Sequence, residues 1–172
     1  MSSPKPAEKS SLIQAFARFF STGLYSSLPF VRGERRDSGS GTAGTAVGLL
    51  IWLVLPASGW PLWAILILSF PIAWWTIEAS HFEFHDDPRI VIDEVLGVWW
   101  TVAFLPRTWP ILIAGFFLFR LLDIWKPWFV GHSQKLPGGL GVLTDDVLAG
   151  MLGNLILRAG LYGYFLLAIK ST

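Results

Sequence analysis

The stretch GGLGVLTDDVLAG at residues 138–150 joins two adjacent aspartates to the apolar segment 147–169. Among the apolar segments of the chain, this one comes nearest to the roughly 20 residues that span a bilayer as a straight helix. Asp145 and Asp146 stand at its beginning, where a carboxylate beside hydrocarbon is costly unless it is paired, hydrated or bound to a cation. Small residues follow one turn later and leave room for a second helix on the same face. The stretch therefore predicts a membrane helix that carries an acidic pair to a close helix contact.

Four shorter apolar segments precede it, at about 45–55, 62–77, 94–105 and 109–122. Turns rich in Pro and Gly separate them, and no period-2 alternation indicates strands. Hydrophobic residues make up 53% of the chain and charged residues 15%, with a mean hydropathy of +0.54, whereas soluble domains carry about a quarter charged residues. We therefore expect an all-α fold, a compact helical membrane protein with about five apolar helices. Ridges of small residues for close helix contact are predicted at Gly44/Gly48, Ala149/Gly153 and Ala159/Gly163.

The N-terminal residues differ from the rest of the chain in charge. Six of the thirteen basic residues precede the first apolar segment, and apolar residues recur at helical spacing between Leu12 and Phe20. This pattern predicts an interfacial amphipathic helix, with a frayed tail of chance periodicity as the alternative. We expect residues 1–38 to form a basic N-terminal segment, partly amphipathic or disordered, and residues 39–172 to form the helical domain.

The basic N-terminal segment also predicts the orientation in a membrane, because positive residues favour the cytoplasmic side. Alternation of the apolar segments then places the turns at 56–61 and 106–110 outside. The segments 78–89 and 125–144 return to the cytoplasm. All the acidic clusters of the apolar part of the chain are thereby expected at the cytoplasmic side.

Two further stretches carry acids at the edges of apolar segments. HDDPRIVIDEVLG (85–97) contains Asp93 and Glu94, and FRLLDIWKPW (119–128) contains Asp123. Lys126-Pro127 ends the helix after Asp123, and Arg120 shares its face, where it could bind a phosphate or neutralise the carboxylate. Each cluster has a purely structural alternative: the two acidic pairs could cap helix N-termini, and Asp123 with Arg120 could be a surface ion pair.

Oxygen-only clusters of this kind suit Mg²⁺, which takes one or two carboxylates, keeps several waters and binds substrate phosphate. His81 and His85 have a zinc-compatible spacing, but the intervening sequence disfavours a long helix, so we interpret them as solvated or as supporting other groups. The absence of cysteine excludes a thiol nucleophile, a disulfide and a Cys-ligated metal site. A loop rich in Gly and Thr could wrap a phosphate at a helix N-terminus through Gly41, Thr42, Gly44 and Thr45.

Taken together, four stretches resemble phosphatidylglycerophosphatase A, a family of Mg²⁺-dependent lipid phosphatases of bacteria. They are SGTAGTAVG (40–48), HDDPRIVIDEVLG (85–97), FRLLDIWKPW (119–128) and GGLGVLTDDVLAG (138–150). The resemblance covers roughly residues 40–165 and departs from the family pattern at Ser40, where a Pro usually stands.

The resemblance implies hydrolysis of phosphatidylglycerol phosphate to phosphatidylglycerol and phosphate at the bacterial inner (cytoplasmic) membrane, with the active site facing the cytoplasm. The lipid and the membrane are the expected partners, and no nucleic acid is expected. The residues expected to be catalytic and to hold Mg²⁺ are Asp93, Glu94, Asp123, Asp145 and Asp146, one of which would orient water. Arg120, Lys126 and Lys135 would neutralise charge on the phosphoryl oxygens.

Two alternatives from other classes remain. A CDP-alcohol phosphatidyltransferase also places acids in membrane helices, but its Asp-Gly-x-x-Ala-Arg series is missing from this sequence. A small ion transporter would carry its carboxylates at mid-depth in the membrane, whereas these lie at the ends of the apolar segments.

Overall fold

The computed structural model describes residues 12–31, 39–82, 87–127, 136 and 138–170. These residues form α-helices and one short 3₁₀ helix, Leu28–Phe30, and the described part of the chain contains no strand. The α-helices are α1 (Leu12–Ser21), α2 (Ser40–Trp52), α3 (Gly59–Ser80), α4 (Ile92–Val102), α5 (Trp109–Trp125) and α6 (Gly139–Lys170). The predicted all-α class is confirmed.

By length and composition, α3 and α6 could each cross a membrane, and α2 is a shorter apolar helix. The 11 residues of α4 extend for about 16 Å, roughly half the hydrocarbon thickness of a bilayer, so α4 is too short to cross one. Beyond α3 and α6, the expected number of about five membrane-associated helices stays a prediction.

The helix predicted near the N-terminus is present as α1, whereas its location at a membrane interface stays a prediction. It packs against α3, and the guanidinium Nε of Arg18 donates a hydrogen bond of 3.0 Å to the carbonyl of Ser80 at the end of α3. Its apolar residues Leu12, Ile13 and Phe16 are exposed. The alternative of a frayed tail is therefore wrong for this segment.

Helix α4 occupies the centre of the fold, between α2, α5 and α6, with α3 also in contact. Val95, Leu96, Val98 and Val102 on this helix are almost completely buried, as is Phe119 of α5. The hydrophobic effect thus fixes α4 from several sides, and any polar group on it is positioned by the whole core.

Glycines lie at the closest contacts between helices, as expected for two of the three predicted ridges of small residues. A Cβ at Gly48 would lie 2.8 Å from Val98 of α4, and a Cβ at Gly153 would lie 3.0 Å from Thr101. The ridges Gly44/Gly48 and Ala149/Gly153 are confirmed. As a contact among the described residues the ridge Ala159/Gly163 is wrong, because none of their atoms outside the helix lies within 4 Å of a Cβ at Gly163.

The two turns between the helix pairs lie together, as the alternating topology predicted. The guanidinium of Arg107 donates hydrogen bonds of 2.7 Å to the carbonyls of Leu55 and Pro56. Next to them, the amide of Asn154 donates to the carbonyls of Thr101 and Ala103 at the end of α4. We call this the turn end of the bundle. The side of a membrane on which it lies stays a prediction.

Candidate active site

Three carboxylates from two helices meet near the other end of α4, which we call the acidic end. Asp93 and Glu94 lie in the first turn of α4, and Asp146 lies two turns into α6. One oxygen from each falls within 4.8 Å of the others. The meeting follows from the sequence, since Gly97 and Gly150, about one turn further along each helix, let α4 and α6 touch.

The capping alternative is wrong for Asp145 and Asp146. Helix α6 begins at Gly139, so both aspartates lie inside the helix and its first turn contains no acid. Glu78 of α3 occupies that role instead, because its carboxylate accepts a hydrogen bond of 2.8 Å from the backbone N–H of Gly139. Sequence reasoning missed Glu78, whose only signal is an isolated acid at the end of an apolar segment. In α4 the N-cap is Val91, and no side chain of the described residues caps the helix.

The three clustered carboxylates are buried more deeply than their charge would allow without compensation. Oδ1 of Asp93, Oε2 of Glu94 and Oδ2 of Asp146 are buried and have no hydrogen-bond partner among the described residues. Burial raises the pKa of Glu94 to about 8. Burial, and then the neighbouring Glu94 carboxylate, raises the pKa of Asp93 well above its usual range. Three inward-facing oxygens without donors fit a divalent cation with oxygen ligands such as Mg²⁺.

Two basic side chains lie beside this cluster and form ion pairs with the two other predicted acids, Asp123 and Asp145. Nη1 of Arg120 lies 2.6 Å from Oδ2 of Asp123 and 3.9 Å from Oε1 of Glu94. Nζ of Lys126 pairs with the Asp145 carboxylate and lies 3.7 Å from Oδ1 of Asp123. Because Asp123 is buried, the alternative of a surface ion pair with Arg120 is wrong.

Lys126 owes its position to the end of α5. It adopts a left-handed backbone conformation with φ of 44° and donates its N–H to the carbonyl of Leu122, so the helix ends before Pro127 as predicted. Burial lowers the pKa of Lys126, but the carboxylates of Asp146 and Asp145 outweigh this effect, and the pKa lies above its usual value. The ammonium group therefore stays charged beside the acids.

The beginning of α2 completes the acidic end. A Cβ on Gly41 would clash with Oε1 of Glu94 and lie 2.7 Å from Nη1 of Arg120, so the glycine brings the helix N-terminus directly onto the cluster. Free backbone N–H groups at such a terminus attract anions. Thr42 beside it is exposed.

The other two residues predicted to bind phosphate have different surroundings. Gly44 packs against Val91, and the buried hydroxyl of Thr45 donates a hydrogen bond of 2.8 Å to the Gly41 carbonyl. Gly44 therefore allows α2 to approach the start of α4, whereas the Thr45 hydroxyl bonds within its own helix. His81 ends α3 in a left-handed conformation and is exposed, while His85 and Lys135 lie outside the described residues.

Comparison with known proteins identifies a family and several relatives that this chain resembles. The family model of Phosphatidylglycerophosphatase A matches residues 15–161, and the match begins inside α1. A Phosphatidylglycerophosphatase A from Escherichia coli K12 is 34% identical over 122 residues, which cover 68% of this chain and 71% of that protein. One from Haemophilus influenzae Rd is 29% identical over 164 residues, covering 92% of this chain and 96% of that protein.

A third relative, from Bacteroides thetaiotaomicron, bears a name that proposes a phosphatidylinositol-3-phosphatase. It is 34% identical over 145 residues, which cover 76% of this chain and 91% of that protein. No solved structure matches the chain significantly. The family match extends over most of the described helices, including all of the acidic end, and the chain therefore belongs to the phosphatidylglycerophosphatase A family.

Proposed function

We propose that the protein hydrolyses phosphatidylglycerol phosphate to phosphatidylglycerol and inorganic phosphate, with Mg²⁺ held by Asp93, Glu94 and Asp146. One observation carries the proposal: three buried carboxylate oxygens without partners lie beside a guanidinium and a helix N-terminus. Such a site can hold a cation and an anionic phosphoryl group side by side. The names of two relatives supply the lipid substrate.

In this proposal each group has a distinct task. A bound Mg²⁺ would neutralise charge on the phosphoryl group and favour ionisation of an attacking water. Arg120 and the N–H groups at the start of α2 would bind the phosphoryl oxygens. Asp123 holds the guanidinium of Arg120 in place, and Lys126 is held between Asp123 and Asp145, so the two predicted metal ligands outside the cluster act by positioning cations. Hydrolysis adds water across the terminal P–O bond and releases the glycerol hydroxyl.

The proposed location follows from the apolar helices and the charge of the N-terminal segment. Helices α3 and α6 are apolar enough to cross a membrane, and α1 exposes apolar residues beside the end of α3. We place the acidic end at the cytoplasmic face of the bacterial inner membrane, because the sequence around α1 is the most basic part of the chain and α1 ends beside the start of α4, where the N–H of Val91 donates to the carbonyl of Ser21.

The proposal is tested by measuring phosphate release from phosphatidylglycerol phosphate with protein purified in detergent. Release should require Mg²⁺, stop in EDTA and return when Mg²⁺ is added in excess. Phosphatidylinositol 3-phosphate serves as the competing substrate suggested by the third relative. Equal or faster release from that lipid, or full activity in a metal-free sample, would refute the corresponding part of the proposal.

A further inference from the structure

An open groove runs along the seam between α2 and α5. It has a volume of about 300 Å³, and every residue that lines it is apolar. On α2 its wall includes Ala46, Leu50 and Leu53, and on α5 it includes Ile113 and Phe117. Leu50, Ile113 and Phe117 are each more than half exposed, so the groove lacks a cover among the described residues.

The groove leads to the candidate active site because both of its walls continue into it. On α2, Ala46 lies four residues, or about one turn, after Thr42 and hence beside the Gly41 contact. On α5, Phe117 lies three residues before Arg120, on the same face. Gly41 and Arg120 touch each other across the seam, and the groove begins at Ala46, between one and two turns of α2 past that contact.

From that point the groove runs about 10 Å along α2, from Ala46 to Leu53, toward the turn end. A phosphorylated lipid has the same order of parts: an anionic phosphate, a glycerol and then hydrocarbon. With its phosphate at Arg120, its hydrocarbon would enter the seam directly. We propose that the α2–α5 groove binds an acyl chain of the lipid substrate and thereby selects the diacyl lipid over its water-soluble headgroup. This inference rests on the proposed function for the identity of the substrate.

A second apolar groove, between α3 and α4, gives a useful contrast. Its walls include Ile65, Leu68 and Trp99, and Phe20 of α1 also lines it. Its wall includes Ile92, next to Asp93, but no residue of α2 or α5, so it borders the carboxylates without reaching the helices that carry Gly41 and Arg120. The α2–α5 groove is therefore the one that the geometry assigns to the substrate.

The kinetic test uses Ala46→Trp, which fills the groove, and Ala114→Trp as the matched control. Both alanines are exposed, but Ala114 lies outside the groove wall. The measured quantity is the ratio of kcat/KM for phosphatidylglycerol phosphate to kcat/KM for its deacylated headgroup. The indole of Ala46→Trp should displace about two methylenes of the acyl chain from the groove and so lower this ratio about tenfold. An unchanged ratio in Ala46→Trp, or an equal fall in Ala114→Trp, would overturn the assignment.

A second measurement does not depend on turnover. Phosphatidylglycerol with a photoreactive diazirine near the end of one acyl chain is crosslinked to the detergent-solubilised protein, and the labelled peptides are mapped by mass spectrometry. Labelling should concentrate at residues 46–53 and 109–117 and fall in Ala46→Trp but not in Ala114→Trp. Labelling spread evenly over the exposed faces of α3 and α6 would refute the groove. Failure of the wild-type protein to hydrolyse the lipid would refute the proposed function alone.

Discussion

The carbonyl group of Gly97 lies directly against Gly150, so α4 and α6 cross with no side chain between their backbones. This contact lies about one turn beyond Asp93 and Glu94 on α4 and beyond Asp146 on α6. It therefore sets how closely the three carboxylates approach.

The first prediction concerns this crossing. A Cβ at position 150 would clash with the Gly97 carbonyl, so Gly150→Ala should lower the free energy of unfolding by about 1–3 kcal/mol. Gly160→Ala is the matched control, because a Cβ there meets no described atom within 4 Å outside its own helix. That variant should gain up to about 1 kcal/mol from helix propensity. Chemical unfolding in detergent measures both, and equal stabilities for the two variants would contradict the close crossing.

The second prediction concerns Gly41. A methyl group there would push against Glu94 and Arg120 without entering the hydrophobic core. Gly41→Ala should therefore reduce kcat by about 100-fold, the loss typical of misplacing catalytic groups by about 1 Å. Its thermal midpoint should stay close to that of the wild type. Gly160→Ala should keep full activity, and an active Gly41→Ala would show that α2 does not contribute to the site.

The third prediction separates a metal site from a structural acidic cluster. Mg²⁺ should raise the thermal midpoint of the wild-type protein, because a ligand that binds only the folded state stabilises it. Asp146→Asn should abolish this shift together with most of the turnover, since it removes one of three clustered charges. A Mg²⁺ shift of wild-type size in Asp146→Asn would exclude this carboxylate as a ligand.

The fourth prediction concerns Asp123, which pairs with Arg120 rather than joining the tight cluster. Asp123→Asn should reduce turnover strongly but keep most of the Mg²⁺-induced rise in thermal midpoint. Measuring kcat and the Mg²⁺-induced rise in thermal midpoint for Asp123→Asn and for the wild type tests this prediction. Loss of the shift in Asp123→Asn would assign this residue to the metal shell, as the sequence alone had suggested.

The fifth prediction concerns topology. Arg107 ties the two turns together, so single cysteines at Ser58 and Thr108 should behave alike toward an impermeant thiol reagent. Applied to cells whose inner membrane is accessible from outside, the reagent should label both and spare a cysteine at the exposed Leu136, next to Lys135. Since the chain has no native cysteine, the readout has no background. Labelling of position 136 from outside would place the acidic end on the wrong leaflet.

Local sequence was sufficient for the approximate positions of the described α-helices and for the approach of three of the five predicted acids. Turns rich in Pro and Gly mark the helix ends, and the small residues Gly97 and Gly150 indicate the helix crossing that brings the carboxylates together. The start of α6 was not predictable from local sequence, because glycines at 138, 139 and 141 disfavour a helix that Glu78 of another helix then caps. Non-local contacts of this kind override local propensity.

The two small-residue ridges of α6 show the same limit. Ala149/Gly153 and Ala159/Gly163 have identical spacing, yet within the described part of the chain only the first meets another helix. The pairing of Lys126 with Asp145 likewise joins two helices across the segment between them. The spacing of small residues shows that a helix surface can accept a second helix at close range. Which helix packs there depends on the whole fold.

Helix α4 is too short to carry its two polar ends to the two faces of a membrane. Its acidic first turn and its last carbonyls, held by Asn154, are separated by about 16 Å, against roughly 30 Å of hydrocarbon. Because α2, α3, α5 and α6 all pack against α4, protein rather than lipid would surround its two ends in a membrane that α3 and α6 cross. Charged and polar groups could then lie below the membrane surface without touching hydrocarbon, at a depth that a lipid-facing helix does not tolerate.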